Sequence, residues 1–435
     1  MFCEIYSTLT MMVVYMNGKG VRMMGKKKGD LAALASIPLI MTLGNSMLIP
    51  ILPLISRELH ISSLQVSMLI TVYAVVAILL IPIAGYLSDK VGRKAVIIPS
   101  LIIAGIGGGV CGAAPWFANG MMLYWIIIAG RFLQGIGAAG AFPTVLPLVG
   151  DMFDDDKEVS KSLGIIETSN TFGKVLSPIL GATLGAWIWY MPFLAIPVLC
   201  LCSLLLVIFL VKEPERKSKP KPLKQFWKSV KGVFASQGRW LYAIFIIGGI
   251  SMFLLFAVLF YLSEQLEKRH GLDGVLKGFV LAIPLASLCL ASYFTGKKIG
   301  KNKVLMKWCG VIGLLLSTGA LFGVGFFNNI YFVLACLIVC GAGIGMVLPS
   351  SDALITEGIE KELRGTITSI YSSMRFIGVS LGPPVVSLLV KSGHMTLFFV
   401  IAGISLVAMI LLLVMVKPES KEGKGGLSEA LRPQH

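Results

Sequence analysis

The stretch Gly85-Tyr-Leu-Ser-Asp89-Lys-Val-Gly92-Arg93-Lys94 is a short polar loop set between two apolar runs, 63–86 and 95–114, each long enough to cross a bilayer. A helix rising about 1.5 Å per residue needs roughly 20 apolar residues to span the hydrocarbon. Outward from the loop, runs of that length recur at 31–55, 63–86, 95–114, 120–148, 163–186 and 191–211, then at 240–262, 272–295, 304–327, 330–351, 365–390 and 395–416. They are continuously apolar rather than alternating, which selects helices over barrel strands, and a helix satisfies its own backbone hydrogen bonds in lipid. The fold class is therefore an all-α membrane protein of twelve transmembrane helices. A chain of 435 residues that is 56% hydrophobic and 14% charged could not hide that much apolar surface in a water-soluble core.

Charge sets the orientation. With the N-terminus in the cytoplasm, the outer loops hold only Arg57, Lys268, Arg269, Lys277 and Lys391; Arg131, Lys174 and Arg375 fall within spans, and the other 30 of the 38 Lys and Arg lie inside. That asymmetry follows the positive-inside rule. The formal net charge of +16 reflects this topology and attraction to anionic lipid. It does not point to nucleic acid, since no aromatic-basic binding module accompanies it. The eight cysteines lie mostly in spans, with no Cys-x-x-Cys pair near histidines. They read as small packing residues rather than as a zinc site or a disulfide framework. His60, His270, His394 and His435 fall in loops or the tail, which leaves a buried histidine proton relay unsupported, and no phosphate-binding Gly-x-x-x-x-Gly-Lys-[Ser/Thr] loop exists, so ATP is not the energy source.

The organisation that follows is a cytoplasmic N-terminus 1–30, a six-helix bundle 31–211, a basic linker 212–239, a second bundle 240–416 and a cytoplasmic tail 417–435. Residues 1–22 lack the basic then apolar pattern of a secretory signal. Lys19-Gly-Val-Arg22-Met23-Met24 back-translates to a purine-rich, ribosome-binding-like stretch before a Met codon, so translation is expected to start at Met23 or Met24; intact mass spectrometry of the native protein checks this. In the linker, Leu223, Phe226, Trp227, Val230 and Phe234 form a helical apolar stripe, with Lys224, Lys228 and Lys231 on other faces. That is the pattern of an amphipathic helix lying flat on the inner leaflet, as a tether more than as a gate. The halves repeat weakly: Gly173-x-x-x-Ser177-Pro178 returns as Gly378-x-x-x-Gly382-Pro383, and Tyr86 to Gly92 returns as Phe294 to Gly300, at offsets of 205 and 208. Two similar bundles can rock about a site between them, exposing it to each side in turn.

In the loop, Gly85 and Gly92 let two helix ends approach and turn, Asp89 can cap or pair across the bundle interface, and Arg93 and Lys94 can anchor to anionic lipid. A plain basic inside loop is the alternative. In the fifth span Gly173, Ser177, Gly181 and Gly185 line one face at four-residue steps and Pro178 bends the helix. Close packing explains these residue types equally well. Taken together, the motifs resemble a known family. The loop 85–94 resembles the signature of the major facilitator superfamily, including its Gly, Asp and Gly-Arg-Lys positions. Arg131-Phe-Leu-Gln134-Gly135-Ile-Gly137 is similar to the motif of its proton-coupled members. Residues 173–185 resemble the antiporter motif of drug:proton exporters, with Ser177 replacing a glycine and Gly181-Ala182 replacing the closing Gly-Gly. The resemblance covers residues 31 to 416. It implies a twelve-helix exporter of lipophilic small molecules in a bacterial plasma membrane, driven by proton influx through alternating access. It further implies no enzymatic activity, no cofactor beyond the coupling proton, both termini in the cytoplasm and a monomer. Asp89 would latch the gate from the first half only, because Lys297 stands at its place in the second copy.

Intramembrane charge is costly and marks function. Arg131, Lys174 and Arg375 come near mid-bilayer, and Glu167 sits nearer the cytoplasm, seven residues from Lys174 and on its face of the helix. These charges form either a structural ion pair locking spans four and five or a proton-coupling site made of Glu167, Arg131 and Lys174. Glu167, the one carboxylate placed well inside a span, is the leading proton carrier. Asp30 and Asp352 read as helix-end residues. Asn45, Asn170 and Arg375 are the substrate-cavity candidates. An exporter of lipophilic cations is expected to place an acid in its cavity, yet the first span offers Asn45 and the midplane charges are positive, which shifts weight toward neutral or anionic substrates. Two rivals stand beside the drug exporter: an exporter or flippase for an endogenous lipid or metabolite, and a non-transporting membrane receptor or sensor. Short loops and tails leave the second without an output domain.

Overall fold

The computed structural model describes residues 27–153, 156–212, 232, 238–300, 302–359 and 361–417. The proposed start at Met23 or Met24, the amphipathic helix of the linker and the tail lie outside the described residues.

Among the described residues twelve long helices follow one another: α1 Lys27–Ser46, α2 Ser63–Val91, α3 Arg93–Ala113, α4 Gly120–Met152, α5 Asp156–Trp187, α6 Met191–Leu210, α7 Arg239–His270, α8 Gly274–Ile299, α9 Lys303–Phe326, α10 Ile330–Gly358, α11 Lys361–Leu389 and α12 His394–Met415. A short turn Ile49–Ile51 and a seven-residue helix Leu52–Glu58 prolong α1; Pro50 and Pro53 sit at their first turns, where a missing N–H costs nothing. Among the described residues, eleven helical stretches are long and apolar enough to cross a membrane. The twelfth long helix, α5, begins with the charged Asp156-Lys-Glu158 and packs against α1 and α8.

Local chemistry explains the ends. Ser62 opens α2 with a capping box, its Oγ accepting from the Gln65 N–H while Gln65 Oε1 accepts from the Ser62 N–H. Gly92 closes α2 at φ +120°, a conformation that a side chain would strain, so α3 can start at the next residue. The last turn of α7 carries Lys268, Arg269 and His270 at its negative end and stops at a left-handed Gly271. The first predicted span, 31–55, runs from α1 through the Ile49–Ile51 turn into the short helix Leu52–Glu58; the others each centre on one helix, and several helices outrun the prediction: α2 reaches Val91, α5 starts at Asp156, α7 reaches His270 and α10 reaches Gly358. Apolar runs measure the hydrocarbon thickness, whereas the hydrogen-bond ladder continues until a cap or breaker ends it.

In the first six helices α3 packs on α4 and α6, α2 on α4, and α1 on α5 and α6. In the last six α9 packs on α10 and α12, α8 on α10, and α7 on α11 and α12. The neighbours are thus the same six helices on. Two seams, α2 with α11 and α5 with α8, join the sets. Small residues set the spacing: a Cβ on Gly181 would strike the Met47 backbone just past the end of α1, and one on Gly378 would strike the Gly249 carbonyl of α7. Leu79, Phe209, Leu290 and Val414 point outward at more than half exposure, the apolar shell that a lipid-facing surface needs. The α1–α2 turn lies beside the end of α7, where Ser63 meets Glu264; this face is termed distal below, and the opposite one, which holds the starts of α1 and α7, proximal.

Candidate functional site: a polar cavity between the two sets of helices

The central cavity opens where α1, α2, α4 and α5 face α7 and α11. Met41, Thr42, Asn45 and Ser46 come from α1, Tyr73 from α2, Phe142 from α4, and Asn170 and Lys174 from α5. The opposite wall is Met252 and Phe256 of α7 with Ser372, Arg375, Phe376 and Val379 of α11. Its volume is about 80 Å³. A drug-sized ligand needs roughly 300 Å³ or more, so the halves must part to admit one.

Three cations sit around this cavity in different states. Arg131 of α4 is fully buried. Its Nε donates to the Leu69 carbonyl (2.7 Å), Nη2 to Asn45 Oδ1 (2.5 Å), and Nη1 to Gln134 Oε1 (2.5 Å) and the Gly44 carbonyl (3.4 Å); its guanidinium lies 4.5 Å from the Tyr73 ring centroid. No carboxylate pairs with it among the described residues, and neutral dipoles and a π face hold it instead. It ties α4 to α1 and α2.

Glu167 of α5 accepts from Asn170 Nδ2 (3.1 Å), and Asn170 in turn accepts from Thr42 Oγ1 (2.6 Å). The same Glu167 oxygen lies 3.9 Å from Arg375 Nη2, and Arg375 Nη1 lies 3.7 Å from Asp352 Oδ1 of α10. Lys174 is 8% exposed, and its Nζ has no hydrogen-bond partner among the described residues.

Several sequence expectations are corrected here. The ion pair expected to lock spans four and five is not formed among the described residues: Glu167 instead reaches across to Arg375 of α11. Arg131 touches neither Glu167 nor Lys174 directly among the described residues; it reaches the cavity through Asn45, which lines it together with Lys174. Asp352, expected at a helix end, sits within α10 and shares Arg375 with Glu167. Lys277, assigned to an outer loop, is buried in the first turn of α8 and bonded to Glu267 Oε2 at 2.8 Å. His394, assigned to a loop, starts α12; its Nε2–H donates to the Val324 carbonyl (2.7 Å), which leaves Nδ1 to accept from the Tyr261 hydroxyl (2.7 Å). Asn45, Asn170 and Arg375 do line the cavity.

The polar loop knits helix ends together. Asp89 pairs with Arg93 (2.5 Å), Arg93 reaches Asp151 of α4 (3.2 Å) and Ser88 (2.7 Å), and Gly85 faces Ser369 of α11. Lys94, expected to anchor to lipid, donates to the carbonyls of Ile208 and Val211, capping the end of α6 where its partial negative charge lies. The small-residue face of α5 packs on α1: Gly173 lies against Leu39 and Thr42, Gly181 against Met47 and Gly185 against Ile51, while Ser177 Oγ bonds back to the Gly173 carbonyl. The Pro178 carbonyl faces the other seam, where a Cβ on Gly278 would come within 2.6 Å of it.

Sequence reasoning missed a set of distal ties between the two sets of helices. Ser63 Oγ donates to Glu264 Oε1 (2.7 Å), Lys268 bridges the same pair, and Ser263 Oγ donates to the Ile49 carbonyl (2.8 Å). Arg57 approaches Glu267 to 3.7 Å. The available signal was the Glu264/Lys268 spacing of four at the end of α7, which places an acid and a base on one face.

The family model for the Major Facilitator Superfamily matches residues 34–383 and 306–433. A bacillibactin exporter of Bacillus subtilis (strain 168) is 53% identical over 399 residues, covering 92% of this chain and 99% of that protein. The multidrug efflux protein YfmO of the same organism is 26% identical, over 88% of this chain and 92% of its own length. Among solved structures, the human organic anion transporter MFSD10 matches with a TM-score of 0.70 at 16% identity, over 89% of this chain and 99% of that one. At that identity the likeness is one of fold.

Proposed function

The chain belongs to the major facilitator superfamily, and from that premise we propose that it exports a small endogenous metabolite of the bacillibactin type in exchange for protons, by alternating access between two six-helix bundles. The observation that carries the substrate is the 53% identity to a bacillibactin exporter over nearly the whole of both chains. It favours the endogenous-metabolite reading over the lipophilic-drug export implied by the motif resemblance.

The packing pattern that recurs six helices on supports two repeated bundles, residues 31–211 and 240–416, moving about the cavity between them. Arg375 offers a proton-coupling device. It stands between Glu167 of the opposite bundle and Asp352 of its own, at 3.9 and 3.7 Å. Parting of the bundles separates Arg375 from Glu167 and leaves it with Asp352, and closing restores the pair, so Glu167, the proposed proton carrier, changes its charged neighbour once per cycle. The basic asymmetry of the loops supports both termini in the cytoplasm of a bacterium, with anionic lipid against the inner face. No cofactor enters this cycle, and a single chain suffices for it.

The test is bacillibactin uptake into inverted membrane vesicles carrying the protein. Accumulation that rises on acidifying the lumen and collapses with an uncoupler is expected; no uptake above control vesicles would refute the proposal. Lipophilic-drug export is the second reading, favoured by the Tyr73, Phe142, Phe256 and Phe376 walls and by the YfmO relative. The same vesicles with a panel of cationic, neutral and anionic lipophiles decide between them.

A further inference from the structure

We infer that the central cavity receives an acidic group carried on an aromatic body, with the acid held between Lys174 and Arg375; this rests on the export reading and assigns the chemical class of its substrate. The decisive feature is the Lys174 ammonium. It is buried in the cavity wall with three donors and no acceptor among the described residues. A buried cation left unpaired is costly, so it persists in a fold when a partner arrives during the working cycle. The neighbouring carboxylates are committed elsewhere: Glu167 accepts from Asn170, and it and Asp352 flank Arg375.

Arg375 is the second half of the receptor. Both of its ion pairs exceed hydrogen-bond length, and its guanidinium lines the same cavity. Among the described residues the lining contains hydroxyls, amides and two cations, but no Asp or Glu. Around the cavity Arg131, Lys174 and Arg375 outnumber Glu167 and Asp352 by one charge, which a monoanion would neutralise and a cation would double. The remaining walls are flat and apolar, Tyr73, Phe142, Phe256 and Phe376, which suits an aromatic body. Lys174 and Arg375 belong to opposite bundles, so an anion touching both replaces the repulsion between two cations with a bridge. Substrate binding itself then favours the closed arrangement.

The test uses the purified full-length chain in lipid nanodiscs and three near-isosteric probes, 2-naphthoate, 2-naphthamide and 2-naphthamidinium, with affinity measured by equilibrium dialysis. We expect naphthoate to bind about tenfold or more tighter than naphthamide, and naphthamidinium to bind weakest. In Lys174→Met the naphthoate and naphthamide affinities should converge to within about twofold, and a cooperative thermal-unfolding transition reports that the variant is folded. Lys174→Arg should restore the preference. Equal binding of naphthoate and naphthamidinium by the parent protein would overturn the inference, as would no binding of any probe or discrimination that survives in Lys174→Met. Dialysis needs no flux. Bacillibactin uptake in vesicles without charge discrimination in dialysis sinks the anion site alone, and discrimination without uptake sinks the export reading alone.

Discussion

Substituting Glu264 by Ala should loosen the distal face by an amount that the structure allows to be worked out. Four contacts cross the bundles there: Ser63 to Glu264 at 2.7 Å, Lys268 to Ser63 at 3.2 Å, Ser263 to the Ile49 carbonyl at 2.8 Å, and Arg57 to Glu267 at 3.7 Å. Glu264 is nearly buried, so its hydrogen bond from Ser63 is charge-assisted and worth about 1.5–3 kcal/mol. Lys268 is more than half exposed and recovers water when Glu264 is lost, which adds little. Arg57 is 63% exposed and its pair is long, so it contributes about 0–1 kcal/mol. Glu264→Ala should therefore shift the equilibrium toward a distally open form by about tenfold to a hundredfold, whereas Arg57→Ala should shift it by no more than about fivefold. The readout is the labelling rate of a single cysteine placed at Ser46, in a background with the native cysteines replaced, by an impermeant maleimide applied from the distal side. Equal labelling of Glu264→Ala and its parent would show that these contacts do not hold the face shut.

Four further outcomes are expected. Glu167→Gln should abolish proton-driven accumulation in vesicles while leaving substrate binding and downhill exchange; accumulation that persists under a pH gradient would move the proton site to Asp352. Asp89→Asn weakens the part-exposed pair with Arg93, worth about 1 kcal/mol, so expression should hold and cysteine labelling in the proximal vestibule should rise about fivefold; unchanged labelling with unchanged transport would reject a latch. Arg131→Ala strands Asn45, Gln134 and two carbonyls in a dry core, and thermal unfolding in detergent should report a loss of about 3–5 kcal/mol. Gly181→Ala forces a methyl onto the Met47 backbone and should cost about 1–3 kcal/mol in the same assay, whereas Gly150→Ala, which meets nothing, should be silent; equal effects would show that the α1–α5 packing is looser than drawn.

The amino-acid sequence alone determined the number, order and approximate extent of the helices, the basic asymmetry of the loops and the family signature at 85–94. These are legible because a bilayer imposes a one-dimensional condition: an apolar run of fixed length must pass before a charge or turn is affordable. The step of four along Gly173, Ser177 and Gly181 likewise announced close helix packing, though not that the partner was α1. The cavity residues Asn45, Asn170 and Arg375 could be named because polar groups in apolar runs stand out against their neighbours. Tertiary structure alone decided what those groups meet. Glu167 and Lys174 share a helix face, yet Glu167 reaches Arg375 of the other bundle and Lys174 is left without an acceptor among the described residues. Lys277 counted as a loop charge until α7 brought Glu267 against it, and Ser63 found Glu264 across 201 residues of chain. Charge pairing acts over a few ångströms and is set by which seams close. Seams are chosen by the summed fit of whole helix faces, a property that no spacing within one helix encodes.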